Sequence, residues 1–241
     1  MAVTTTKTNK PINPRGNDQS PLAFNRAKLY SGKALDFDGV NDYVDIGSFS
    51  MSGNNATFVF NYNQDAAASA KFVFDNEGAR LSIGQGDVSG SFGVDTGSIA
   101  WEYFGSLESG KWYGIAVIIE GSTARCYANG VAFGDAVDIG ETLNFANVTN
   151  ATIGARYSKT ASNFDGQLSG FKIFNTALTA AQVADLYNNP EKIVPTGVSN
   201  TALKLWLPMM EGAGTTAYDG SGNGNHGTIS GATYVNGVGA P

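Results

Sequence analysis

The sequence predicts an all-β sandwich, and three observations carry that expectation. Glycine supplies 31 of the 241 residues while charged side chains make up only 15%, which suits many short strands and tight turns better than a helical bundle. Short apolar runs are broken throughout by Gly, Asn, Asp and Ser, the punctuation expected of strands. The length is enough for one large sandwich with a sizeable core, or a sandwich with a small appendage, and leaves two full domains cramped.

Residues 1–28 read as an extended arm, Thr-rich at first and then carrying Pro11, Pro14 and Pro21 among polar residues, with little to bury. Ala34 to Ile46 follows as strand, turn and strand. Leu35 and Phe37 face one way and Asp36 and Asp38 the other, Gly39 permits the turn, and Tyr43-Val44-Asp45-Ile46 resumes the extended pattern. Thr57–Phe60, Lys71–Phe74, Arg80–Ile83 and Ser91–Val94 are further strands. Trp112–Ile119 is apolar on both faces and is expected to be a central strand covered on each side. Asn129-Gly130 then supplies the positive φ angles of a two-residue hairpin turn. Cys126, beside that turn, reads as a small core residue and not a nucleophile.

Ala151–Gly154 and Phe164–Asn175 give two more strands before the spacing turns helical over Leu178–Tyr187. Thr179 with Gln182 forms a capping box, Val183, Leu186 and Tyr187 share a face, and Asn188-Asn189-Pro190 ends the helix. Residues 191–200 read as a linker. In the stretch after it, Leu203, Leu205 and Leu207 alternate with Lys204 and Trp206 as a strand requires. Trp112 and Trp206 read as core residues.

The order of these motifs resembles the laminin-G-like, or concanavalin-A-like, lectin jelly roll over residues 29–190. Its landmarks stand here as Phe37-Asp38-Gly39 with Asp42-Tyr43-Val44, the Trp112 strand, the Tyr127-Ala128-Asn129-Gly130 hairpin, Phe164-Asp165-Gly166, Ile173-Phe174-Asn175 and Asp185-Leu186-Tyr187. The resemblance implies a two-sheet antiparallel sandwich with one short C-terminal helix. Residues 201–241 also resemble an element of that family, one that normally precedes the opening signature. Here it follows the helix, either completing the sandwich in the same chain or onto a neighbour, or starting a second module. An arm, a jelly roll and a partial module together resemble structural proteins of tailed bacteriophages.

A net charge of −6 and a pI near 4.7 argue against a grip on phosphate backbones, so no nucleic-acid partner is expected. Met1–Lys7 lacks the apolar core of a signal peptide, and no later run is long or apolar enough to span a bilayer. With Cys126 as the only cysteine there is no intrachain disulfide and no thiolate metal cluster. These features fit folding in a host cytoplasm and assembly into a virion.

The residues bear on three kinds of site. A glycoside hydrolase needs two carboxyl groups flanking the scissile bond, and on jelly-roll glucanases they come from a Glu-x-Asp-x-Glu strand that this sequence lacks. The single His226 cannot support a triad or zinc site without unusual partners. Calcium has a better case, because Asp36, Asp38, Asn41 and Asp42 bring hard oxygens to one strand-turn and Asp219, Asn223 and Asn225 bring them to another. The competing explanation is that Asp and Asn make turns by bonding their own backbone. For sugar, Trp101 and Tyr103 on one strand face offer a stacking platform, with Glu102 between them directed the other way.

Two functions of different kinds follow. One is a non-enzymatic virion structural or adhesion protein, a capsid decoration or tail fibre, that binds other virion proteins through its arm, forms a homo-oligomer and touches cell-surface glycan. The other is a free carbohydrate-binding module of a larger enzyme, with a hydrolase as the least favoured reading.

Overall fold

The computed structural model describes residues 32–97, 100–146 and 148–236. The arm expected at residues 1–28 lies outside them. The rest forms two antiparallel sheets packed face to face. The larger has the order β10 (Val131–Ala132), β9 (Thr123–Ala128), β8 (Tyr113–Glu120), β3 (Asn55–Gln64), β13 (Asp165–Phe174), β1 (Lys33–Asp38), β17 (Thr233–Asn236), with β11 (Val137–Asp138) on β9 and β14 (Leu203–Leu207) on β13. The smaller runs β15 (Thr216–Ala217), β16 (Gly227–Ser230), β2 (Tyr43–Phe49), β12 (Val148–Ile153), β4 (Lys71–Asp75), β5 (Ser82–Gln85), β6 (Ser91–Asp95), β7 (Glu102–Ser106). This is the two-sheet jelly-roll sandwich that the motif order implies.

The period of two decides which side chains meet between the sheets. On β3, Phe58, Phe60 and Tyr62 enter the core while Val59 faces out. Phe58 meets Phe74 of the opposite sheet at a ring separation of 4.9 Å, and Tyr62 meets Phe92 edge-on at 5.5 Å. Such pairs add about 0.5–1.5 kcal/mol beyond the area they bury. A polar knot sits among them. The Tyr62 hydroxyl donates to Gln64 Oε1 at 2.5 Å, Gln85 Nε2 of the other sheet donates to the same oxygen, and Gln64 Nε2 donates to the Leu107 carbonyl at 2.9 Å. Gln64 thus lies in the core of a strand that extends well past the expected Thr57–Phe60.

The β8 strand is covered on both sides, as its composition requires. Ile115, Val117 and Ile119 lie in the main core, whereas Ala116 and Ile118 pack under α1 (Ala180–Asn188) with Phe174, Leu178, Val183 and Leu186. Thr179 and Gln182 close the reciprocal capping box at 3.3 and 2.9 Å. Asn129 and Gly130 take φ of +53° and +77° in the β9–β10 turn, the mirror-image geometry a tight hairpin demands. Cys126 is buried, and burial pushes its thiol pKa up, away from the reactive thiolate.

Residues 203–236 join both sheets of the same chain: β14 pairs with β13, β16 with β2, and β17 with β1. Gly231, just after β16, lies so close to Asp42 that a β-carbon there would collide with the carboxylate. Two expectations need correction. The strand placed at Arg80–Ile83 begins at Ser82, because Arg80 takes a φ of +55° in a loop closed by Asn76, whose Oδ1 accepts from Ala79 N–H at 2.7 Å. Trp112 and Trp206 are only half-buried and line a groove on the outer face of the larger sheet, because their alternation places them opposite the core side.

Candidate functional site

The outer face of the smaller sheet carries a cleft of about 430 Å³. Phe74, Ile83 and Val94 lie side by side on β4, β5 and β6 and fill the core. The next positions, Asp75, Ser82 and Asp95, are also in register, and alternation turns them outward as the polar floor of the cleft. Arg80, Arg156 and Tyr157 line its walls, with Phe72 at one side.

Asp75 holds this floor together. Its Oδ1 accepts from Asn76 N–H and the Ser82 hydroxyl, both at 2.9 Å, and its Oδ2 accepts from Tyr157 N–H at 2.9 Å. Burial pushes its pKa up to about 6, against the pull of those three donors and of the Arg156 guanidinium. The wall carrying Arg156 and Tyr157 is pinned further by Thr152 Oγ1, which donates to the Ala155 carbonyl at 2.7 Å, and by the Lys159–Asp45 ion pair at 2.5 Å. Arg156 lies over the Tyr157 ring at 5.6 Å. On the other side Arg80 Nη2 donates to the Gly97 carbonyl at 3.1 Å, and Asp95 Oδ1 accepts from Gly97 N–H at 2.8 Å.

The aromatic platform adjoins this cleft through Phe72. Its ring is 5.4 Å from that of Trp101, which stacks beside Tyr103 at 6.4 Å with the planes only 15° apart. Both rings rest on Gly86, where a β-carbon would come within 2.6 Å of each. Any larger residue would lift the rings off the sheet. The Tyr103 hydroxyl accepts from Val88 N–H at 3.2 Å, which fixes the outer ring. Glu102 stands opposite Val94, a core residue, on the other side of the strand from Tyr103. The structure therefore brings Trp101 and Tyr103 to one surface and leaves Glu102 off it.

The oxygen-rich turns are arranged differently from the expectation that one ion links them. Asp38 Oδ1 accepts from Val40 N–H at 2.8 Å and from Asn41 N–H at 3.4 Å, and Asp42 Oδ2 accepts from Asp38 N–H at 3.0 Å. Burial, and then the Asp38 and Asp36 carboxylates, push the Asp42 pKa up in spite of that N–H. Asp36 Oδ1 is taken by Gln167 Nε2 at 2.7 Å.

In the second turn, burial works to raise the Asp219 pKa, but its bonds from Trp206, Ser221 and Asn225 leave it lowered overall. Asn223 and Asn225 each donate to the Lys204 carbonyl, at 3.2 and 2.9 Å. His226 Nδ1 accepts from Asp219 N–H at 2.9 Å. Asp42 abuts Gly231 at one end of β16, whereas Asn225 precedes the other end. Four strand residues separate them by about 13 Å. Side chains from both turns do not fit around a single ion. Among the described residues no group of three or more His, Cys, Asp or Glu gathers as a metal site.

Sequence reasoning missed Asp75, Arg80, Asp95, Arg156 and Tyr157. One signal was available: Phe-Val-Phe-Asp and Phe-Gly-Val-Asp end β4 and β6, the two strands that flank β5, on the same residue type. Two such strands held in register through the strand between them put their Asp residues in one row.

The comparisons with known proteins agree with this architecture. Residues 38–184 match the family model described as the concanavalin A-like lectin/glucanases superfamily. Among solved structures, a candidate carbohydrate-binding protein from Bacteroides ovatus is similar at 19% identity and a TM-score of 0.63, over 84% of this chain. The chain spans 59% of that protein's length. A heptameric SAP-like pentraxin from Limulus polyphemus is similar at 16% identity and a TM-score of 0.51, over 69% of this chain and 89% of its own. Domain 4 of a GH43 extracellular arabinanase from Geobacillus stearothermophilus, in complex with arabinotriose, is similar at 19% identity and a TM-score of 0.46, over 64% of this chain and 76% of its own. No curated protein matches the sequence.

Proposed function

The chain belongs to the concanavalin A-like lectin/glucanases superfamily, and from that premise we propose that it is a non-catalytic glycan-binding protein whose sugar site is the cleft beside Trp101 and Tyr103. The observation that carries the reading is the near-parallel aromatic pair set against a polar cleft. Two rings whose planes lie within 15° of parallel offer the apolar face of a pyranose a surface to stack on, and the neighbouring guanidinium, carboxylate and phenol groups can take its hydroxyls.

Catalysis is disfavoured by how Asp75 is used. A general acid must reach the glycosidic oxygen with a free proton. Asp75 is 3% exposed, and three donors from the protein already occupy its two oxygens. Its role on this reading is to fix the wall loop.

The test is affinity electrophoresis against β-glucans, agars and peptidoglycan with the wild type and Trp101→Ala. At least one polysaccharide should retard the wild type, and the variant should bind about five- to thirtyfold more weakly, since losing one stacked ring costs about 1–2 kcal/mol. Reducing ends should not appear. Equal retardation of both proteins, or turnover that Trp101→Ala abolishes, would overturn the reading.

Within that function, the finer reading is an adhesion protein carried as a homo-oligomer on a bacteriophage virion. It is supported by the Thr- and Pro-rich opening segment, which suits assembly with neighbouring proteins. Mass spectrometry of purified particles tests it, and absence from them would leave the free binding module.

A further inference from the structure

The opposite face of the molecule carries a second concavity. It lies between α1 and the outer face of the larger sheet, an open groove of about 110 Å³. Val59, Lys172 and Trp206 stand side by side on β3, β13 and β14 and form part of its floor. Tyr187 of the helix covers Gly114 and Gly130, where a β-carbon would come within 3.1 Å of its ring atoms, and Trp112 lies near the same end. The stretch between Tyr187, Trp206 and Val59 is aromatic and apolar and suits one ring.

Lys172 is out of place there. Its ammonium makes one hydrogen bond, to the Lys192 carbonyl at 3.0 Å, and among the described residues no carboxylate pairs with it. The neighbouring Lys192 ammonium is itself committed to Asp185 at 2.6 and 2.9 Å. A buried cation with no carboxylate paired to it costs stability, and a ligand that supplies a negative charge there recovers that cost.

We propose that this groove is a second ligand site, separate from the glycan cleft, that takes a small carboxylate carried on a flat apolar body, with Lys172 as its counter-ion. The ring would lie between Tyr187 and Trp206 and the carboxylate would meet the Lys172 N–H groups. Burial lowers the Lys172 pKa to about 8, so the unliganded ammonium is charged at pH 7 and is lost above pH 8. The other charged groups lining the groove are Lys33, Glu191 and Lys192.

Isothermal titration of the full chain with phenylacetate, and with phenylacetamide as the uncharged control, tests this directly. Phenylacetate should bind at pH 7 with a Kd of roughly 1 mM or tighter, a reasonable limit for so small a ligand. Phenylacetamide should bind at least tenfold more weakly. Phenylacetate affinity should fall at least tenfold between pH 7 and pH 9.5, and Lys172→Met, which keeps an apolar stem, should remove the preference for the acid. Equal binding of acid and amide, no heat from phenylacetate, or a pH-independent affinity would overturn the proposal without reference to the variant. The glycan cleft stands or falls on polysaccharide binding and is unaffected by any of these outcomes.

Discussion

Asp75 shows how one carboxylate can fix a site and cost stability together. Its folded pKa of about 6 lies above the ordinary value of 3.8, so folding disfavours its charged form. Below about pH 4 the group is protonated in both states and its cost disappears. The cost appears as pH rises through 4 to 6 and is complete above 6, amounting to roughly 2 kcal/mol after allowance for relaxation around the site. Asp42 and Asp65 are shifted the same way, chiefly by burial. Urea denaturation should therefore give a higher unfolding free energy at pH 5 than at pH 7. Asp75→Asn should flatten that slope even if it lowers stability at both values, since the amide sets an N–H group against Tyr157 N–H. A wild-type curve that declines from pH 7 to pH 5 would mean that Asp75 ionises normally. Nothing in the sequence announces this residue, because its burial and its three donors come from segments up to 82 positions away. Asn129-Gly130 and the Thr179–Gln182 box are legible for the opposite reason: their physics is contained within a few neighbouring residues.

At the scale of the element, β3 ties the two sheets together through polar as well as apolar contacts. Gln64 accepts from Tyr62 and Gln85 and donates to the Leu107 carbonyl, all inside the core. Gln64→Ala would leave a buried hydroxyl and a buried amide unpaired, at about 1–3 kcal/mol each. The expected fall in melting temperature is on the order of 5–10 °C for a chain of this length. Adding Tyr62→Phe to Gln64→Leu should recover part of the loss, because removing both partners also removes the unpaired donor. A double variant as unstable as the sum of its singles would show that the knot matters for shape and not for its bonds. Asn61 and Asn63, on either side of Tyr62, break the apolar run after Phe60, which is why the sequence shows β3 only as Thr57–Phe60. Trp101 and Tyr103 were legible as a pair by their spacing. Their support on Gly86 was not, since that contact comes from where the chain runs after β5 and depends on the sheet being assembled.

At the scale of the whole molecule, the displaced segment carries a large share of the fold. Leu205, Leu207, Met209 and Ala217 are completely buried, and Leu203, Ile229 and Ala232 nearly so. Each large apolar side chain contributes about 1.5–3 kcal/mol on burial, so four of them together match the whole stability of an ordinary domain, about 5–15 kcal/mol. The segment also supplies neighbours to three strands from the start of the sandwich or its centre: β1, β2 and β13. Without it, β1 and β2 become open sheet edges next to exposed core, the geometry that invites edge-to-edge pairing between chains. The alternation of Leu203, Leu205 and Leu207 made a buried strand legible, but not its partner, because strand partners are chosen by the three-dimensional order of the sheets. A chain truncated after Pro190 should be recovered as aggregate or as a soluble species without a cooperative melt. Adding residues 201–236 as a separate peptide during refolding should restore the cooperative melt of the full chain, since termini that meet in space can be cut and rejoined without changing the packing. A truncated chain that elutes as a monomer and melts at the temperature of the full protein would mean that these strands add nothing to the core they line.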